Sequence, residues 1–292
     1  MSRFLVHLRQ TVWQALEHDV VNTSKAVAYS GMLMLFPLVM VIATLLARGP
    51  EGSTVVGEFR ALFEQFLPAD SMDIFQYSLQ THRTLTLQLV LSGTGLSAFA
   101  GLGVMLSLME GFRRVYRLPL DDWGFWQRRV RAVLLIFIAL VPLALATLVI
   151  IFGRQIEAWM IDNSRHELRA AVLLIWRMAR WALALVTSIT VLSALYHFGT
   201  KQKEHWVRVI PGAIASAFGW FLTTLGFGFY VTRIANYSMF YGSFGAGIAT
   251  LGWLYITSFS ALLGAELNAV LFRNRQERAS ASAAPEPDCA GQ

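Results

Sequence analysis

The chain has 292 residues, of which 55% are hydrophobic and only 14% charged, and its mean hydropathy is +0.52. Ordinary soluble domains carry about a quarter charged residues, so the composition excludes a water-soluble globule of this size and fits a bilayer as solvent. The net charge of +6 would suggest nucleic acid as a partner in a soluble protein, but in a membrane protein the placement of the charges decides their meaning.

Residues 1–25 form an amphipathic cytoplasmic segment. Leu5, Leu8, Val12 and Leu16 recur at helical spacing, while Arg9, Gln10, Gln14 and Glu17 turn away from them. That pattern predicts a helix lying on the membrane surface. The first long apolar run begins at residue 26 with no cleavage pattern after it, so it is expected to stay in place as an anchor.

At about 20 apolar residues per crossing, the chain holds six spans, at about 26–47, 85–109, 131–153, 171–198, 210–230 and 243–271. Together they make one transmembrane domain, residues 26–271, with a disordered cytoplasmic tail after it, 272–292. Between spans one and two, Val55, Phe59, Leu62, Phe63 and Phe66 suggest a second amphipathic helix, on the membrane or packed against the span ends. Pro37 and Pro142 fall in the middle of spans one and three, where each removes a backbone hydrogen bond and bends its helix.

In span five, Gly212, Ser216, Gly219, Thr223 and Gly226 recur every three or four residues and make one small-residue stripe. Such a face lets another backbone come close; it serves helix packing or borders a hydrophilic pathway. Gly93, Ser97 and Gly101 repeat the pattern in span two.

Charges inside spans are costly and are candidates for function. Arg177 and Arg180, three residues apart in span four, share a face. Two arrangements fit: the guanidinium groups snorkel to lipid phosphates, or they point inward and dock an anionic group. Glu266, about one turn inside the far end of span six, is at the level of Lys25, Arg113 and Arg114. A charge pair drawn from Glu266, Lys25, Glu110 and Arg113 is expected there, as a structural lock or as a proton- or solute-linked carboxylate. The turn between spans five and six holds Arg233, Asn236, Tyr237 and Tyr241, polar groups suited to the membrane boundary or to the mouth of a cavity. With Arg177 and Arg180 they form the candidate site for a solute or lipid headgroup.

Alternate segments, beginning with the N-terminal one, hold 15 of the 24 Lys and Arg residues; the others hold 7, and Arg177 and Arg180 are the remaining two. This excess predicts both termini in the cytoplasm. The cluster Arg113, Arg114, Arg117, Arg128, Arg129 and Arg131 then faces anionic inner-leaflet lipid, the expected partner in place of nucleic acid.

No catalytic residues, metal ligands or cofactor are expected. The six histidines lack metal-ligand spacing, and no nucleophile elbow or phosphate-binding loop is present. The single cysteine, Cys289, rules out an intramolecular disulfide. The fold expected is therefore an all-α integral membrane protein, a six-transmembrane-helix bundle with amphipathic interfacial helices and cytoplasmic termini.

The stretches "SKAVAYSGMLMLFPL" (24–38), "GFRRVYRLP" (111–119), "VRVIPGAIASAFGW" (207–220) and "ANYSMFYGSFGAGIATLGWLYITSFSALLGAELNA" (235–269) resemble the YihY/BrkB family of bacterial inner-membrane proteins. The resemblance implies a six-helix inner-membrane bundle with cytoplasmic ends, which agrees with the charge count. It implies no secure activity, because the family's ribonuclease BN label is widely regarded as a misattribution and the virulence label names a phenotype. A ribonuclease needs a basic, aromatic-lined RNA groove with acid/base or metal groups, and the loops here are too short to build one. The expectation is a permease-like protein that binds or moves an amphipathic or anionic solute, such as a lipid, and supports envelope integrity. The alternative is a non-transporting scaffold for envelope assembly, with a second copy or an envelope protein as partner.

Overall fold

The computed structural model describes residues 3–46, 83–119, 124–163, 169–201, 205–233 and 245–283. Among the described residues there are seven α-helices and no strand: α1 (Arg3–Glu17), α2 (Val20–Leu46), α3 (Arg83–Val115), α4 (Phe125–Asn163), α5 (Arg169–Phe198), α6 (Trp206–Arg233) and α7 (Gly245–Ala283). Five carry a segment long and apolar enough to cross a membrane: Val20–Ile42, Leu87–Val115, Leu174–Phe198, Trp206–Tyr230 and Gly247–Ser280. The span expected at 131–153 falls on α4, whose side chains from residue 146 lie outside the described residues. So does the amphipathic pattern at 55–66.

The helices run past the apolar runs that predict them, because polar flanking residues continue the same backbone ladder. α7 is the clearest case. It continues through residues 272–283, which the composition assigned to the tail, and that extension brings Arg273 onto the same helix as Glu266.

Lipid-facing and core-facing surfaces separate by face. Phe36, Leu91, Phe99, Phe137, Leu185 and Phe218 are exposed, as suits a bundle whose surroundings are as apolar as leucine. The buried core lies toward the end that carries α1, where Ala15, Val20, Phe112, Val115, Leu135, Tyr196 and Ala269 meet. Phe112 and Tyr196 pack edge to face at 5.4 Å, an arrangement favoured by the ring quadrupoles.

Small residues set the close crossings. α2 and α3 pack along each other, with Gly101 over Met34 and the Ser97 hydroxyl donating to the Met34 carbonyl at 3.3 Å. α6 and α7 come closer still. A methyl group on Gly212 would lie 2.2 Å from the Gly264 carbonyl, and one on Gly264 would lie 1.9 Å from the Ser216 hydroxyl. Asn268 spans this crossing, accepting from the Gly212 amide and donating to the Val209 carbonyl, each at 2.8 Å. The Tyr196 hydroxyl ties in α5 through the Ala261 carbonyl at 2.6 Å and Ser216 at 2.7 Å.

The small-residue stripe on α6 makes this contact over part of its length. Gly212 and Ser216 are buried and Gly219 faces Ser260, but Gly226 is exposed with no atom within 4 Å of its added methyl position. The assignment of Gly226 to helix packing is thus corrected. α6 and α7 stay in touch beyond the Gly212–Gly264 crossing, through the Trp253 indole donating to Thr224 at 3.3 Å and Phe227 against Gly252, so it is the face of α6 carrying Gly226, and not the helix pair, that turns away from this contact.

Candidate functional site

Two tight turns face each other at the α1 end of the bundle. α1 stops at Glu17, and Asp19 adopts a left-handed φ of 58° before α2 begins. The Asp19 carbonyl accepts both the amide and the hydroxyl of Thr23, at 3.1 and 3.0 Å, and its carboxylate accepts from Asn22 at 2.6 Å. α3 ends in a Schellman turn. Arg117 has a φ of 54°, its amide donates to Arg114, and the Leu118 amide donates to Arg113. Glycine usually occupies this left-handed position, since a β-carbon there costs about 1 kcal/mol or more. Two non-glycine residues held in that region mark a corner that tertiary contacts maintain.

Those contacts centre on Glu266, which is fully buried on α7 within the segment Gly247–Ser280. One carboxylate oxygen accepts from His18 Nδ1 at 2.9 Å and the other from Arg273 Nη2 at 3.1 Å. Arg273 is two helical turns beyond Glu266, on the same face. It also donates to the Val115 carbonyl at 3.2 Å and to the Gln14 side-chain carbonyl. His18 Nε2 lies 3.0 Å from Arg117 Nε. A guanidinium nitrogen can only donate, so Nε2 accepts, Nδ1 carries the hydrogen, and the imidazole that bridges Arg117 to Glu266 is neutral. The assigned tautomer rests on this proton inventory.

A second carboxylate organises the basic cluster beside it. Glu110 receives a two-pronged bond from Arg113, at 3.0 and 2.6 Å, and single bonds from Arg114 at 3.1 Å and Arg128 at 2.9 Å. Paired guanidinium–carboxylate bonds of this kind are strong and directional. Arg114 reaches on to Asp19 at 2.8 Å, so the two networks meet at the α1–α2 corner. Arg129 lies over the ring of the exposed Phe125, 3.5 Å from its centre.

The pairing expected for Glu266 is corrected by this arrangement. Lys25 is exposed and donates to Asn22 at 3.1 Å, because α2 turns Thr23, Ser24, Val27 and Ala28 inward instead. Arg113 binds Glu110 and the Leu118 carbonyl. His18 and Arg273, the actual partners of Glu266, were not among the candidates. The seven-residue spacing from Glu266 to Arg273 was the signal available for one of them; none pointed to His18, which needs the left-handed turn at Asp19.

Of the other candidates, Arg180 is half-buried on α5. The side chains of Arg177 and Arg233 lie outside the described residues, as do Asn236, Tyr237 and Tyr241 altogether. Among the described residues, no three His, Cys, Asp or Glu side chains are grouped to hold a metal ion.

A family model described as virulence factor BrkB matches residues 11–288. The chain is 29% identical over 265 residues to YfkH of Bacillus subtilis, a relative whose name describes it as ribonuclease-like, with 89% of this chain and 92% of that one covered. It is 25% identical to a UPF0761 membrane protein of Vibrio parahaemolyticus, covering 88% of this chain and 79% of the relative. A UPF0761 membrane protein of Nitrosospira multiformis is 24% identical; 87% of this chain matches, but it spans little more than half, 58%, of that relative's length. No solved structure matches the chain.

Proposed function

Because the chain belongs to the virulence factor BrkB family and is a helical membrane protein, we propose that it binds and moves an amphipathic or anionic solute, such as a lipid, and so contributes to envelope integrity. The observation that supports this reading is Glu266, an ionisable side chain with no exposure inside a segment apolar enough to cross a membrane. For stability alone, well-packed apolar residues serve as well as a buried ion pair or better. Ionisable groups kept within membrane spans characteristically mark solute or proton pathways.

Two features add to it. The basic cluster at the α1 end offers positive charge to an anionic headgroup, with Arg129 backed by the exposed Phe125. Farther along α5, the fully buried Ser193 hydroxyl has no hydrogen-bond partner among the described residues, and such a group costs about 1–3 kcal/mol unless something polar reaches it. In this reading the protein crosses the bacterial inner membrane six times with both termini cytoplasmic, and it is not an enzyme.

Reconstitution tests the proposal. In vesicles carrying labelled phosphatidylglycerol in one leaflet, the full chain should speed redistribution between leaflets over protein-free vesicles, and Glu266→Gln should slow it. Equal rates with and without protein would contradict it. A second reading, a non-transporting scaffold with a second copy or an envelope protein as partner, draws on the tight Gly212–Gly264 seam, which holds α6 and α7 in one fixed crossing.

A further inference from the structure

His18 holds the two turns of the α1 end together through both ring nitrogens. Nδ1 donates to Glu266 on α7 and Nε2 accepts from Arg117 in the turn after α3. Its side chain is 9% exposed, so the ring is fixed but reachable by protons from the bundle's end. The neutral form alone fits this pair of bonds, because a protonated ring has an N–H at both nitrogens and cannot accept from Arg117.

The other charged groups around the ring decide the effect of an added proton. On α7, Glu266 is shared with Arg273. On α1, the Glu17 carboxylate lies 4.0 Å from Arg117. At the corner, Asp19 is engaged by Arg114 of α3. Lys25 of α2 faces away, bonded to Asn22, and Arg128 of α4 is bound to Glu110. The imidazolium would therefore keep its bond to Glu266, strengthened by charge, while its new Nε2–H faces the Arg117 guanidinium as a second donor and a like charge. Arg117 has Glu17 as its alternative partner, and its left-handed backbone loses the contact that holds it.

We propose that His18 is a proton-binding site, and that the proton displaces Arg117 from the ring and loosens the left-handed turn after α3, while the Arg114–Asp19 pair keeps the helix itself at the α1–α2 corner. Histidine is suited to this, since its two ring nitrogens let one added proton turn an acceptor into a donor. The inference stands whatever solute the bundle handles. It gives the protein a built-in response to acidity at the end where its charges converge.

Hydrogen-exchange mass spectrometry on the full-length protein in lipid nanodiscs tests it, with intrinsic exchange rates corrected for pH. Between pH 8 and 5.5, exchange at the turn amides of residues 116–118 should rise about tenfold in the wild type, the scale of losing one charge-assisted hydrogen bond. His18→Gln can still donate to Glu266 and accept from Arg117 but does not titrate, so the rise should vanish. The same rise in His18→Gln, or no rise in the wild type, overturns the proposal; the first result would assign the response to one of the carboxylates. Should His18→Gln fail to fold, Arg117→Ala serves in its place. Fast exchange at every pH supports the latch, and a pH-dependent rise like that of the wild type overturns it.

Discussion

The Asn268 side chain receives the Gly212 amide at 2.8 Å and returns a hydrogen bond to the Val209 carbonyl at the same distance. One carboxamide thus ties the backbone on both sides of Pro211 to α7. Asn268→Leu removes both hydrogen bonds across the α6–α7 crossing, and we expect a loss of about 1–3 kcal/mol, seen as a lower Tm in a fixed detergent and lipid mixture. An unchanged Tm would mean that water or another helix replaces the amide.

Gly264 and Gly226 should respond oppositely to alanine. At Gly264 the added methyl meets the Ser216 hydroxyl at 1.9 Å and the Gly212 carbonyl at 2.4 Å, with backbone on one side that cannot yield cheaply. Separation of α6 from α7 should cost about 3 kcal/mol, the upper part of the usual range for overpacking. At Gly226 the methyl meets nothing, so the helix gains about 1 kcal/mol of intrinsic preference or stays unchanged. Thermal unfolding of the two variants side by side measures the contrast.

Breaking the Glu266 pair should cost more than removing it. Glu266→Ala leaves the Arg273 guanidinium without its carboxylate, and losing one partner of a buried pair typically costs about 3–5 kcal/mol. Arg273 is 24% exposed at its side chain, which places the expected loss at the low end. Glu266→Leu combined with Arg273→Met should recover most of it. A double-mutant cycle in chemical or thermal unfolding reads the coupling directly.

Glu110 restrains the basic cluster. Glu110→Gln removes the charge that Arg113, Arg114 and Arg128 share and frees them toward anionic headgroups. With about 1 kcal/mol available per basic residue near the surface, preference for phosphatidylglycerol over phosphatidylcholine should rise roughly fivefold. Quenching of tryptophan fluorescence by brominated lipids can track the change, since Trp126 is exposed beside Phe125.

How much of this was legible in the sequence depended on the range of the interaction. Apolar runs marked where α2, α3 and α5–α7 lie, because lipid demands the same residue types along a crossing, but not how far their polar ends continue, by twelve residues at the end of α7. The Gly212–Ser216–Gly219 face was legible for the same reason, as periodicity on one helix. The pairing of Glu266 was not. Depth alone suggested Lys25, Arg113 or Arg114, whereas the choice was made by a left-handed turn at Asp19 and by the overrun of α7 to Arg273. Both features lie where helix ends are decided by tertiary contacts more than by propensity.

The claim that the bundle holds an anionic or amphipathic solute is tested most directly by native mass spectrometry with lipid analysis, on the wild type and on Glu266→Gln. The account predicts that the wild type keeps a defined anionic lipid or solute well above its bulk abundance and that the folded variant keeps less of it. Retention of nothing beyond bulk lipid in proportion to its abundance, by either protein, would contradict the account.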